Sequence, residues 1–197
     1  MKKWLIAIAA LFVLAACSDK GENASGNEEN NQLSGENNVE ESTKGNKNEE
    51  ETDKVYKIGE TAVVTSDLYD FDYEVTVTDF QITDEVDGVS VFDYVRGLEE
   101  SDPSRFAVVY VTIKNSSDEA YVPNEMFSAN FSDVGQKAGT MSELEFSPEL
   151  DEELAPGEEV KSKVVYLHQL DEQDAYWFKY EIMSKKETIF EVPNPNK

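Results

Sequence analysis

Three kinds of side chain in this sequence have the chemistry for a functional site: clustered carboxylates, a lone imidazole and a lone thiol. The densest short cluster is Asp84-Glu85-Val86-Asp87-Gly88, and a second acidic stretch carries Glu143, Glu145, Glu149, Asp151, Glu152 and Glu153. Calcium takes about six to eight oxygen ligands, so Asp84, Glu85 and Asp87 are candidate ligands for a hard cation. The cluster lacks the alternating Asp/Asn spacing and the distal Glu of a calcium loop. A chain this acidic also crowds carboxylates by composition alone, so the expectation is a solvated acidic surface with no resident metal and no cofactor. His168 is the only histidine and Cys17 the only cysteine. One imidazole and one remote thiol make neither a zinc cage nor a Cys-His nucleophile pair. Paired carboxylates can act as acid and base on a glycan. No pair stands out among the 31 carboxylates after residue 54, and the chain is not expected to be an enzyme.

The position of Cys17 suggests a different chemistry. Lys2 and Lys3 precede an uncharged apolar run from Trp4 to Val13. A stable membrane-spanning helix needs about 20 such residues, so this run is too short, and its flanks read as a signal peptide. Leu14-Ala15-Ala16-Cys17 then resembles the bacterial lipobox, in which the thiol accepts a diacylglyceryl group and cleavage leaves the lipidated cysteine at the N-terminus. Residues 1–16 are therefore read as a lipoprotein signal peptide and Cys17 as the lipidation site. The expected location is the cell membrane, lipid-anchored on its extracytoplasmic face.

Residues 17–54 read as the lipidated cysteine followed by a disordered acidic tether. Between Ser18 and Lys54 the only aliphatic side chains are Ala24, Leu33 and Val39, and 11 acidic residues face four basic ones. Such a segment buries too little apolar surface to offset its ordering entropy. As a flexible coil it would span roughly 35 Å. The whole chain carries a formal charge of −25. That balance argues against nucleic acid as a partner and leaves cations, basic polypeptides or other envelope proteins.

Residues 55–197 have the length of one domain and the periodicity of strands. Phe71, Tyr73, Val75 and Val77 alternate with polar residues, and the apolar set then shifts to Phe80 and Ile82, which predicts a bulge near Asp79. Phe106 to Ile113 is the most apolar run and reads as a central strand ended by the turn Asn115-Ser116-Ser117-Asp118. Further strands are expected over Val55–Val64, Phe127–Phe131, after Pro156-Gly157-Glu158, around Tyr176–Ile182, and over Ile189–Val192. About seven strands joined by turns argue an all-β fold, an immunoglobulin-like antiparallel β-sandwich.

Four pieces occur in order: Ile58-Gly59-Glu60-Thr61, Tyr73-Glu-Val-Thr-Val77, Phe106-Ala-Val-Val-Tyr-Val-Thr-Ile-Lys-Asn-Ser116 and Leu154-Ala-Pro-Gly-Glu158. By these the chain resembles the telokin-like, immunoglobulin-like domain family of bacterial lipoproteins, whose function is largely unassigned. The resemblance implies the fold and supplies no catalytic residues.

Two segments exceed what a tight turn needs. In the first, Asp84–Pro103, the spacing of Val91, Val95 and Leu98 predicts a short amphipathic helix capping an edge or end of the sandwich, with Phe92 and Tyr94 as candidate binding residues. The second is Val134–Glu153. His168 is expected to be a packing or surface residue, and Tyr69, Tyr121 and Trp177 are expected to fill the core, the alternative being exposure on a sheet face. The expected function is that of a non-enzymatic binding or adaptor module for an envelope component, working through a sheet face or these loops. The alternatives are a calcium- or cation-binding envelope domain and, third, a wall-active hydrolase.

Overall fold

Phe71, Tyr73, Val75 and Val77 all turn inward, because successive side chains of a strand alternate between faces. A computed structural model describes residues 54–169, 171, 173–182 and 184–197. The stretch read as a signal peptide (1–16), Cys17 and the expected tether up to residue 53 lie outside the described residues. Eleven strands are described: β1 (Val55–Lys57), β2 (Thr61–Ser66), β3 (Phe71–Thr83), β4 (Glu85–Val86), β5 (Val89–Ser90), β6 (Ser104–Asn115), β7 (Ala129–Asp133), β8 (Thr140–Met141), β9 (Glu159–Gln169), β10 (Ala175–Tyr180) and β11 (Thr188–Pro193). Seven of them have five or more residues, which are the strands anticipated from the periodicity. Two one-turn helices, α1 (Val91–Tyr94) and α2 (Pro123–Met126), sit in the connections.

The strands form a four-stranded sheet, β2-β3-β6-β9, and a five-stranded sheet, β1-β11-β10-β7-β8. All pairs are antiparallel except β1 with β11, which run parallel. The main core lies between the sheets, with Val64, Tyr73, Val75, Val109, Val111 and Tyr166 from one facing Phe131, Tyr176, Phe178, Tyr180 and Phe190 from the other. The predicted bulge falls at Thr78, where the β3–β6 register shifts between Val77 and Asp79. That extra residue moves the inward set from odd to even positions, so Phe80 faces the core. Among the described residues, both core clusters are built from residues 56–192.

β6 is buried on both faces, which is why its run is continuously apolar. Ala107, Val109, Val111 and Ile113 point between the sheets, whereas Phe106 and Val108 point outward into a second cluster with Val86, Val91, Phe146 and Val165. The two long insertions provide that outer cover. The helix predicted from Val91, Val95 and Leu98 is a single turn, since Val95 is already extended and Gly97 has a positive φ of 85°. The segment covers the outer face of the four-stranded sheet rather than capping an edge or end. The interval Val134–Glu153 does the same through Phe146, and Leu150 reaches the main core.

Two quoted motifs are the same device. Lys57–Glu60 and Ala155–Glu158 are turns closed by bonds from Glu60 N–H to Lys57 C=O and from Glu158 N–H to Ala155 C=O, each 3.0 Å. Gly59 and Gly157 take φ values of 88° and 81°, the left-handed geometry of a type II turn, with Pro156 in the preceding position. The following glutamate then accepts the N–H three residues back, at 2.8 Å for Glu60 with Lys57 and 3.1 Å for Glu158 with Ala155. Asn115, fully buried, donates its amide to the carbonyls of Glu119 and Leu154 and accepts the Ser117 N–H, which fixes the turn after β6.

Candidate functional site

Asp87 and Gly88, with φ of 51° and 81°, form the two-residue turn of the β4–β5 hairpin. Asp-Gly between two valines is a strong hairpin signal. Its carboxylates are already engaged by cations: Lys163 Nζ lies 2.6 and 2.7 Å from the two oxygens of Asp87, and Arg105 Nε pairs with Asp84. Glu85 stands exposed on β4. Asp84, Glu85 and Asp87 thus do not converge into a cation cage; two of the three pin the hairpin to β6 and β9. Phe92 is half-buried under the Arg105 guanidinium, 5.3 Å from the ring centre. Tyr94 is half-buried between Phe106 and Phe146 and donates to the Glu143 carboxylate at 2.8 Å. Burial and that carboxylate hold its hydroxyl strongly in the protonated form. Phe92 and Tyr94 therefore belong to the outer-face cover. Of the three aromatics expected to fill the core, Tyr121 is buried against Phe71, Trp177 is half-buried, and Tyr69 is 44% exposed.

A different group of side chains does converge. Asp133 ends β7 in the five-stranded sheet, His168 lies near the end of β9 in the four-stranded sheet, and Asp171 follows in the β9–β10 connection. One ligand atom from each lies within 4.8 Å of the others, the one such group of three among the described residues. The imidazole is held edge-on against Phe131 and Tyr176, at centroid distances of 5.1 and 4.8 Å. That places Nε2 at 3.9 Å from Asp133 Oδ1, too far for a hydrogen bond. Both atoms are shielded from solvent and neither has a hydrogen-bond partner among the described residues. Burial lowers the His168 pKa, which keeps the ring neutral near pH 7. Burial and the neighbouring Asp171 carboxylate raise that of Asp133. Asp171 Oδ1 is oriented by the Tyr176 hydroxyl and the Gln173 N–H, each at 3.1 Å.

The cluster opens into a cleft of about 450 Å³, further lined by Ser132, Gln136, Thr140 and Gln169. Its far wall is the β7–β8 turn. Lys179, fully buried on β10, donates to the carbonyls of Gln136, Lys137 and Ala138 at 2.8, 3.0 and 3.4 Å. These bonds replace the water its ammonium loses and fix the turn in place. Gly139 lets the turn approach β7, since a Cβ there would stand 2.9 Å from both Asn130 Cβ and the Phe131 carbonyl oxygen.

The residues say little of this in advance. His168 reads as a packing residue, which its ring contacts bear out, but its Nε2 is a further, chemical feature. The one local signal is His168 followed three positions later by Asp171. Asp133 has none, because only the β7–β10 pairing, with Asp133 opposite Tyr176, brings it here.

Among solved structures, the chain is similar to a conserved hypothetical protein from Bacillus anthracis, at 19% identity and a TM-score of 0.42, over 65% of this chain and 95% of that one. It is likewise similar to an uncharacterised β-sandwich protein from Clostridium difficile 630, at 13% identity and a TM-score of 0.42, over 72% and 96% of the two chains. Comparison with curated proteins gives no match. The family model for a domain of unknown function, DUF4352, matches residues 56–189, which takes in both sheets up to the start of β11, the outer-face cover and the cleft. The chain belongs to the DUF4352 family.

Proposed function

We propose that this chain is a lipid-anchored, extracytoplasmic binding module without enzymatic activity, and that the cleft at Asp133, His168 and Asp171 is its recognition element. The observation that carries the reading is the pair of buried, unpartnered atoms, His168 Nε2 and Asp133 Oδ1, in two residues that line an open cleft. Buried polar groups are almost always hydrogen-bonded. Ser66, Tyr121, Tyr166, Trp177 and Tyr180 also leave a buried atom unpartnered among the described residues, but only here do an imidazole nitrogen and a carboxylate oxygen stand 3.9 Å apart, which supports a shared ligand. Among the described residues no hydroxyl or thiol is hydrogen-bonded to Nε2, so no side-chain nucleophile is paired with the imidazole there. The lipobox reading of Cys17 and the acidic tether support attachment and presentation away from the membrane. Kinship with telokin-like lipoprotein domains, resting on the four quoted motifs, is part of the same proposal.

Site-specific photo-crosslinking in the intact cell tests it. A crosslinker at Gln169, on the cleft rim, should capture a defined envelope component that a crosslinker at the exposed Val63 of β2 does not. Equal capture from both positions, or none from Gln169, overturns the cleft as the recognition element.

A further inference from the structure

We infer that the cleft binds a divalent transition-metal cation through His168 Nε2 and one carboxylate oxygen each from Asp133 and Asp171. The inference rests on the reading of the cleft as the recognition element and names its ligand.

Charge is the first argument. Two carboxylates, Asp133 and Asp171, share a partly buried site with the imidazole, one ligand atom of each within 4.8 Å of the others, so like charges are held close together. A cation removes that repulsion and gives Nε2 and Asp133 Oδ1 the partner each lacks. Donor type is the second. Calcium and magnesium favour sets made of oxygen atoms, whereas imidazole with carboxylates suits zinc and its first-row neighbours. Geometry is the third. Bonds of about 2.0–2.2 Å to a tetrahedral zinc put its ligand atoms roughly 3.3–3.6 Å apart. The three atoms here lie within 4.8 Å of one another, and His168 and Asp133 are 3.9 Å apart, so modest inward rotation closes the site.

The surroundings fit a ligand set as well. The Tyr176 hydroxyl and the Gln173 N–H both bond Asp171 Oδ1, which orients the carboxylate and leaves Oδ2 for the cation. Phe131 and Tyr176 fix the plane of the imidazole. Three protein ligands leave a fourth position facing the cleft, open to water or to a donor atom of a partner.

Calorimetric titration of residues 54–197 with zinc chloride tests the inference. One saturable site is expected, and calcium or magnesium in about 100-fold excess should not compete. His168→Phe keeps the ring against Phe131 and Tyr176 but removes the nitrogen. Asp171→Asn changes only an exposed side chain. Each should weaken zinc binding by at least about ten-fold, with circular dichroism and metal-free melting unchanged. Asp87→Asn, in the hairpin turn, should leave the affinity as it is. Absence of saturable uptake, or wild-type affinity in both His168→Phe and Asp171→Asn, overturns the metal site. If zinc fails while the Gln169 crosslinker still captures its component, the metal assignment is wrong and the cleft reading survives. If zinc binds while the crosslinker captures nothing, the metal site stands and the adaptor reading falls.

Discussion

The Tyr73 hydroxyl donates a 2.9 Å hydrogen bond to Glu181, joining the start of β3 to the residue after β10 and hence one sheet to the other. Glu181 holds a left-handed φ of 56°, and its N–H is fixed by the Ser128 carbonyl at 2.8 Å. Removing the hydroxyl leaves a buried carboxylate short of a donor, which costs about 1–3 kcal/mol. Tyr73→Phe is expected to lower the urea midpoint accordingly, while Tyr73 keeps its stacking role with Phe127 through the remaining ring.

The same pair sets a pH dependence. Burial raises the Glu181 pKa above its ordinary value, against the pull of the Tyr73 hydroxyl. A raised folded-state value means that this group's contribution is most favourable below the unfolded pKa and is lost as pH rises through the folded one. Glu181→Gln retains an acceptor for Tyr73 and should remove that slope. Melting curves from pH 4 to pH 7.5 should show variant and parent nearly equal at the acid end and the variant gaining on the parent toward neutrality.

The insertion Asp84–Pro103 is a cover before it is a binding surface. Val91 is fully buried in the outer cluster, and Phe146 meets Phe106 edge-on at 5.3 Å. Phe146→Ala should cost about 3–5 kcal/mol, as large-to-small changes in a packed cluster do. Deleting residues 84–103 should expose Phe106, Val108 and Val165 and bring on aggregation, read by light scattering. A deletion variant that stayed monomeric with unchanged melting would contradict this role.

Lys179 links the core to the cleft wall. Lys179→Met should free the carbonyls of Gln136, Lys137 and Ala138, and amide hydrogen exchange should speed up in the β7–β8 turn while the β2–β3 pair stays protected. Unchanged exchange in that turn would mean that the lysine does not hold it.

Most of the fold was legible because alternation is a local property. The inward set of β3, the switch of set at the bulge and the Pro156-Gly157-Glu158 turn all follow from neighbouring residues. The outer cluster was not legible, because the double burial of β6 depends on segments that return from residues 84–103 and 134–153. The acidic run Asp84–Asp87 suggested a cation site, yet Arg105 and Lys163, on strands distant in sequence, take up two of its charges. Asp133 was invisible for the converse reason, since it meets His168 only where the two sheets come together.

Anchoring has a separate test. Cys17→Ala should move the protein out of the membrane fraction or stall its processing, without changing the melting of the domain. A variant that is cleaved yet stays membrane-bound would contradict the lipobox reading.

The single histidine makes the central claim directly measurable, because the imidazole signals in a proton–nitrogen NMR spectrum belong to His168 alone. Adding zinc to residues 54–197 should shift the His168 Nε2 resonance to a metal-bound position and saturate at one equivalent. Amide shifts should concentrate at residues 132–140 and 168–176. An Nε2 resonance that does not move with zinc, or amide shifts centred instead on the hairpin at residues 84–90, would contradict the account.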